Sequence, residues 1–304
     1  MRILFMGTPE FAVESLRRLV ADGHEVCGVI TQPDKPRNRN KVTFSPVKEY
    51  ALSQNLPVYQ PVSVRDGEAL ALVERLDPEL IVTAAYGKLL PEEILNYPKY
   101  GSVNVHASLL PKYRGAAPIN WAILNDEPVA GVSVTYMVKA LDAGDVIRME
   151  QLPVEDNDAP TLTARLAVLG GEALSAAIRD LEAGTAARTP QDESQYTYAP
   201  MLGRELSPID WTRPARAIHC QIRGLIPWPC ACTDVINGET MKIYAAEETG
   251  EKTGAAPGTI VSAGKQGIDI ACGDGKVLRI KELQAQGGKR MAAAAYLLGH
   301  PIQR

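Results

Sequence analysis

Asn104 and His106 stand two residues apart in the run Ser102-Val-Asn-Val-His106. Side chains alternate along a strand, so the amide and the imidazole share one face and Val103 and Val105 the other. Ser108-Leu-Leu-Pro111 and the Gly115/Pro118 pair then read as loop. An amide N–H and an imidazolium N–H aimed at one point can hold a developing oxyanion. Imidazole also titrates near neutral pH and can move a proton there. A carboxylate close by would orient the ring and favour its charged form. Asp142, in Leu141-Asp-Ala-Gly-Asp145, is the best placed, after the strand-like run Gly131–Val138. No Ser or Cys is needed if the nucleophile arrives with the substrate. That set of groups suits direct transfer of an acyl or formyl group to an amine. Spacing alone leaves a second reading open, in which Asn-x-His merely closes a loop by hydrogen bonds.

The elements that must position these groups begin with Arg2-Ile-Leu-Phe-Met6, a short buried strand. Gly7-Thr-Pro9 follows, then an amphipathic helix with Phe11, Val13, Leu16, Leu19 and Val20, then the strand Val26–Ile30. This βαβ opening predicts a Rossmann-like, doubly wound and mostly parallel sheet. A dinucleotide site would need G-x-G-x-x-G at the first turn, and Gly7 stands alone, so NAD is rejected. Helices are expected over 45–55 and 66–76, the first with Ser45 as N-cap and Pro46 in its first turn. Leu80–Ala84 is a central strand. The loop Tyr86-Gly-Lys-Leu-Leu-Pro91 at its end lies on the same sheet edge as His106, where Lys88, Leu89 and Leu90 could offer backbone groups to a flat heterocycle. A helix over 117–124, strands over 132–138 and 146–152, and a long helix over 161–181 complete this part.

Residues 1–183 are therefore read as the catalytic domain, 184–206 as a polar linker, and 207–304 as a second domain. The second domain shows one helix, several short strands and Gly-rich turns, which suggest a small β-barrel. His219, Cys220, Cys230 and Cys232 lack metal-site spacing, and no metal is expected. Five scattered cysteines fit a reducing cytoplasm rather than a disulfide framework. The apolar runs look strand-length, the N-terminus opens directly on a strand, and neither a membrane span nor a signal peptide is expected.

The ordered set Asn104-Val-His106, Ser108-Leu-Leu-Pro111, Arg114-Gly115 and Leu141-Asp-Ala-Gly144 resembles the signature of the 10-formyltetrahydrofolate-dependent formyltransferases. The resemblance runs from Met1 to about Ile302. It implies Asn104, His106 and Asp142 as the catalytic trio, and Ser108, Leu109, Leu110 and Pro111 as part of a folate site. It implies the backbone of Lys88, Leu89 and Leu90 as the pterin-side wall, 10-formyltetrahydrofolate as a consumed co-substrate, and an OB-fold-like second domain. Two acceptors fit the family: the α-amine of initiator methionyl-tRNA, or an amino sugar nucleotide.

The polar loop Thr31–Pro46 favours the first. Lys35, Arg37, Arg39 and Lys41 alternate with polar or Pro residues, as a basic finger for phosphates would. In the family this loop meets the tRNA acceptor stem, and Arg39 matches its arginine. The family usually flanks that arginine with glycines and follows it with two lysines; here stand Asn38, Asn40 and Lys41 alone. Charge is also uneven. Residues 1–206 carry 20 Lys and Arg against 27 Asp and Glu, residues 207–304 carry 12 against 9, and the halves are −7 and +3. A positive second half fits a polyanionic partner, although a solvated surface accounts for it equally well. A cytoplasmic monomer is expected.

Overall fold

A computed structural model describes residues 1–34, 36–37 and 41–302, with residues 36, 37, 41 and 42 described as backbone only. The contacts divide it into two units. One comprises Met1–Pro118, Val129–Pro153 and Thr163–Ala199; the other comprises Ile119–Pro128, Val154–Leu162 and Pro200–Arg304.

The first unit is built on a seven-stranded sheet. Its strands lie in the order Val146–Pro153, Val129–Tyr136, Ser102–His106, Leu80–Ala84, Arg2–Gly7, Glu25–Ile30 and Val58–Tyr59. From Ser102–His106 to Val58–Tyr59 every pairing is parallel, and Val129–Tyr136 pairs antiparallel with both its neighbours. The central strands are continuous apolar runs because helices cover both faces of a parallel sheet. All five residues of Leu80–Ala84 are buried. Helix Glu10–Ala21 buries Phe11, Val13, Leu16 and Leu19 along one stripe. A Cβ on Gly7 would stand 2.8 Å from Ala12 Cβ and from the Ala84 carbonyl. The lone glycine of the first turn therefore serves close helix–strand packing.

Helix Pro46–Ser53 starts as expected, with Ser45 Oγ accepting from the Lys48 N–H at 3.3 Å. The next helix, Glu68–Leu76, begins two residues later than the sequence implied. Gly67 takes a left-handed φ of 84° and the Asp66 carboxylate caps the Glu68 N–H at 3.2 Å. Helix Ala159–Ala183, expected over 161–181, has by length and composition the character of a membrane span, though no span was expected. Leu162, Leu166, Leu174, Ala177 and Ile178 are nonetheless buried in the protein. Gly170 lies against Val105 and Val132 of the sheet.

The second unit carries an antiparallel sheet in the order Ala231–Thr233, Met241–Lys252, Lys276–Ala285, Gly267–Ala271 and Ile260–Gly264, with Met291–Ala292 also pairing to Lys276–Ala285. Register shifts along Met241–Lys252 let that long strand bend around an apolar core. The core holds Trp211, Ile218, Ile243, Ile270, Ile280 and Tyr296. Helix Ala215–Gly224 packs on the sheet and gathers the two inserted segments. Its Arg216 pairs with Asp126 and Asp156, each at 2.7 Å. Arg223 donates to the Glu155 and Asn157 carbonyls at 3.1 and 2.8 Å, and Asn120 Nδ2 donates to the Gly224 carbonyl at 2.8 Å. Trp228 is 50% exposed.

Asp269 is the buried charge of this sheet. Arg279 grips it with Nε and Nη2, at 2.7 and 3.0 Å, and Ser262 Oγ donates to it at 2.6 Å. Burial alone pushes this carboxyl up, but the hydrogen bonds from Arg279 and Ser262 outweigh it and hold the group below its ordinary value. Asp269→Ala should therefore destabilise the fold at pH 7, because Arg279 loses its two-point partner and keeps only the Glu247 carboxylate at 3.4 Å. A carboxylate with a depressed folded pKa stabilises above its unfolded value, near 3.9, and loses that contribution as pH falls through the folded value. Urea unfolding of both proteins should show the gap at pH 7 and a shrinking gap below about pH 4. An equal gap at both pH values contradicts the assignment.

Candidate active site

The carboxyl ends of Leu80–Ala84 and Ser102–His106 lie side by side, with Thr83 in register with Asn104. Open α/β sheets bind ligands beyond these strand ends. Thr83 Oγ1 donates to Asn104 Oδ1 at 2.7 Å. That bond fixes the amide orientation, so Nδ2 is the end left to donate elsewhere. Among the described residues nothing accepts from it.

His106 is buried, and its Nε2 lies 2.9 Å from the Tyr113 carbonyl oxygen. A carbonyl only accepts, so Nε2 carries hydrogen. The other ring nitrogen, Nδ1, stands 3.7 Å from Asp142 Oδ2. This is an ion-pair approach rather than a formed hydrogen bond. A lone pair on Nδ1 would face a carboxylate, whereas a proton there faces an acceptor. Asp142 Oδ2 also accepts the Gly115 N–H at 2.9 Å. The three predicted catalytic side chains are thus brought to one strand end.

Tyr113 to Gly115 grips two of them, through a carbonyl on His106 and an amide on Asp142. Tyr113 has a φ of 60°, which turns its carbonyl toward the ring. Arg114–Gly115 pairs in parallel with Tyr198–Ala199, and the Tyr113 N–H donates to Thr197 Oγ1 at 2.8 Å. Gly115 has a φ of 116°, and a Cβ there would lie 2.7 Å from the Ala199 carbonyl, so no side chain fits. The supposed linker is therefore an ordered support for the site as far as Ala199. Sequence reading did not single out Thr83, Tyr113 or Thr197, because each acts through hydrogen bonds that leave no periodic trace.

The loop residues expected at a folate sit close by in the chain. Ser108 and Leu110 are buried, and Leu109 and Pro111 partly so. Ser133 Oγ ties the turn to the next strand, donating to the Ser108 carbonyl at 2.7 Å and accepting the Leu110 N–H at 3.1 Å. Leu110–Pro111 is cis. In the other loop, Gln32 Nε2 donates to the Tyr86 carbonyl at 2.9 Å and Lys88 Nζ donates to the Val62 carbonyl at 2.7 Å. Leu89 is 52% exposed and Leu90 is buried. Among the described residues, no amide from Gly87 to Leu90 donates to a backbone carbonyl. The Tyr86 hydroxyl is buried without a hydrogen-bond partner, and burial pushes its pKa up to about 12.

Of the basic loop, Lys35 and Arg39 lie outside the described residues, and Arg37 and Lys41 are described only as paired backbone. At its base Lys48 Nζ pairs with Asp34 and donates to Gln60 Oε1 at 2.8 Å. Among the described residues no three His, Cys, Asp or Glu side chains form a metal cluster. His219 is buried with Glu248 at 3.6 Å, and Cys220 bonds Asp126 and Arg223.

A doubly wound sheet that presents an amide, an imidazole and a carboxylate at its carboxyl edge, joined to an antiparallel β unit, defines a two-part α/β protein with its polar site on the parallel sheet. The chain belongs to the formyl transferase family: the family's formyl transferase model matches residues 1–178 and its C-terminal domain model matches residues 202–301. Among its relatives, the methionyl-tRNA formyltransferase of Acetivibrio thermocellus is 47% identical, covering 99% of this chain and 97% of the relative. That of Bacillus subtilis is 46% identical, covering 99% and 96%. The fold is shared with an N-formyltransferase from Helicobacter canadensis solved with folinic acid and dTDP-3-aminofucose, at TM-score 0.68 and 20% identity, covering 91% of this chain and 98% of that one. It is also shared with HypX from Aquifex aeolicus in complex with tetrahydrofolic acid, at TM-score 0.65 and 20% identity, covering 98% and 47%.

Proposed function

We propose that this chain moves the formyl group of 10-formyltetrahydrofolate onto the α-amine of initiator methionyl-tRNA. The observation that carries the reading is the meeting of Asn104, His106 and Asp142 at one strand end, in a chain nearly half identical over its whole length to methionyl-tRNA formyltransferases. The neutral amine attacks the formyl carbon, a C–N bond forms, and the bond to N10 of the folate breaks. The amine proton is passed on, and N10 takes one up as it leaves. Asn104 Nδ2 and the His106 imidazolium stabilise the oxygen that gains charge in between. Asp142 keeps His106 oriented and charged, and can relay the proton through water.

The Ser108–Pro111 turn and the Lys88–Leu90 backbone form the folate side, and Lys35, Arg37, Arg39 and Lys41 meet the tRNA phosphates. We place the protein in the cytoplasm as a monomer, where charged tRNA and reduced folate meet. Residues 1–183 form the catalytic domain and 207–304 the second domain, with 184–206 connecting them and grouping with the first unit as far as Ala199. The test is transfer of labelled formyl from 10-formyltetrahydrofolate to charged initiator tRNA, beside charged elongator tRNA and a dTDP-amino sugar. Formylation of the initiator, weakening with added salt as phosphate contacts do, is the expected result. Formylation of the amino sugar with none on tRNA overturns it.

A further inference from the structure

We propose that Gln191 is a positioning residue for the transfer reaction: it holds the Asp142 turn in place and locks that turn to Arg114. The inference rests on the catalytic reading of Asn104, His106 and Asp142 given above.

Asp142 sits at a φ of 50°, in the left-handed region that costs energy for any residue with a Cβ. Such a turn persists only when its surroundings hold it. Gln191 supplies the hold. Its Nε2 donates to the carbonyls of Asp142 and Gly144, both at 2.8 Å. Its Oε1 accepts from Arg114 Nε at 3.0 Å and Nη2 at 2.7 Å. One carboxamide thus spends both donors on the turn and its acceptor on the strand that carries Gly115. The Asp142 carboxylate closes the ring by accepting the Gly115 N–H. Arg114 is buried, and Glu193 at 2.6 Å balances its charge while the Tyr196 ring covers the guanidinium.

The 3.7 Å separation of Asp142 Oδ2 from His106 Nδ1 depends on this ring of bonds, since His106 hangs on the Tyr113 carbonyl and Asp142 on the Gly115 N–H two residues further on. Only glutamine has two donors and an acceptor at the required reach. Glutamate keeps the partner of Arg114 but turns a carboxylate oxygen toward two carbonyls. Leucine keeps neither. The two substitutions therefore separate the grip on the turn from the grip on the arginine.

The experiment uses the full chain, with Gln191→Leu and Gln191→Glu assayed for kcat and folate KM and crystallised. Both should lower kcat roughly 10- to 100-fold, as ångström-scale misplacement of a catalytic group does. Folate KM should stay within about twofold, because the folate loops are elsewhere. In an Asp142→Ala background, Gln191→Leu should subtract less than about a further twofold, since its effect passes through the carboxylate already removed. In the crystals the Asp142 carboxylate should leave the Gly115 N–H. Wild-type kcat in Gln191→Glu, a fully multiplicative loss with Asp142→Ala, or an unmoved Asp142 turn each overturns the proposal. Should Gln191→Leu fail to fold, Gln191→Glu decides it, because Arg114 keeps its partner. If the wild type formylates no tRNA, the functional reading falls on its own, and the crystal comparison still judges Gln191.

Discussion

His106→Ala should lower kcat for formyl transfer roughly 10³-fold, about 4 kcal/mol of transition-state stabilisation. The imidazole does two jobs at once. Held by the Tyr113 carbonyl at Nε2 and facing Asp142 at Nδ1, it is nine-tenths buried, and in the proposed mechanism it carries positive charge there. Charge in such a place stabilises a developing oxyanion far more than the same charge in water. Alanine removes that charge. It also removes the hydrogen bond to the Tyr113 carbonyl, at about 1 kcal/mol of fold stability. His106→Gln separates the two losses, because an amide can donate to Tyr113 without carrying charge. Its thermal midpoint should approach the wild type while kcat stays near that of His106→Ala. Single-turnover transfer to charged tRNA and a thermal melt provide both numbers. Recovery of activity in His106→Gln would reduce the histidine to a structural peg.

The sequence carried the frame of this site because Leu80–Ala84 is a short continuous apolar run and Ser102–His106 alternates apolar with polar residues. Leu80–Ala84 and Ser102–His106 emerge as read, and Asn104 and His106 share a face as the alternation requires. The motif around Asp142 also announced itself, since its turn lies between two strand-like runs. What stayed hidden are the bonds between segments distant in the chain. Arg114 reaches Gln191 and Glu193 nearly eighty residues on, inside a stretch with no helix or strand period. A polar segment without a period reads as linker, yet polar side chains are what a buried arginine and a strained turn need. The long helix expected over 161–181 runs from Ala159 to Ala183, two residues further at each end, where no apolar period marks the boundary.

Asn104→Asp puts the remaining part of the site to the sharpest test, because it alters one atom group and almost no volume. The Thr83 hydroxyl donates to Asn104 Oδ1, and a carboxylate oxygen accepts that bond equally well. The side chain should therefore stay where it is. What changes is the other end, where two N–H donors become an oxygen bearing negative charge. Loss of one oxyanion donor costs about 10²–10³-fold in kcat, and the added charge opposes the transition state further. The expected result is a drop of at least 10²-fold with folate KM little changed. Thr83→Val supplies the companion measurement. It leaves the amide intact but removes the bond that selects its orientation, so an intermediate loss of roughly tenfold is expected from misoriented amide alone. If Asn104→Asp keeps wild-type kcat, the amide does not hold the oxyanion. If Thr83→Val falls as far as Asn104→Asp, the hydroxyl does more than orient the amide, and part of the stabilisation assigned to Asn104 belongs to Thr83.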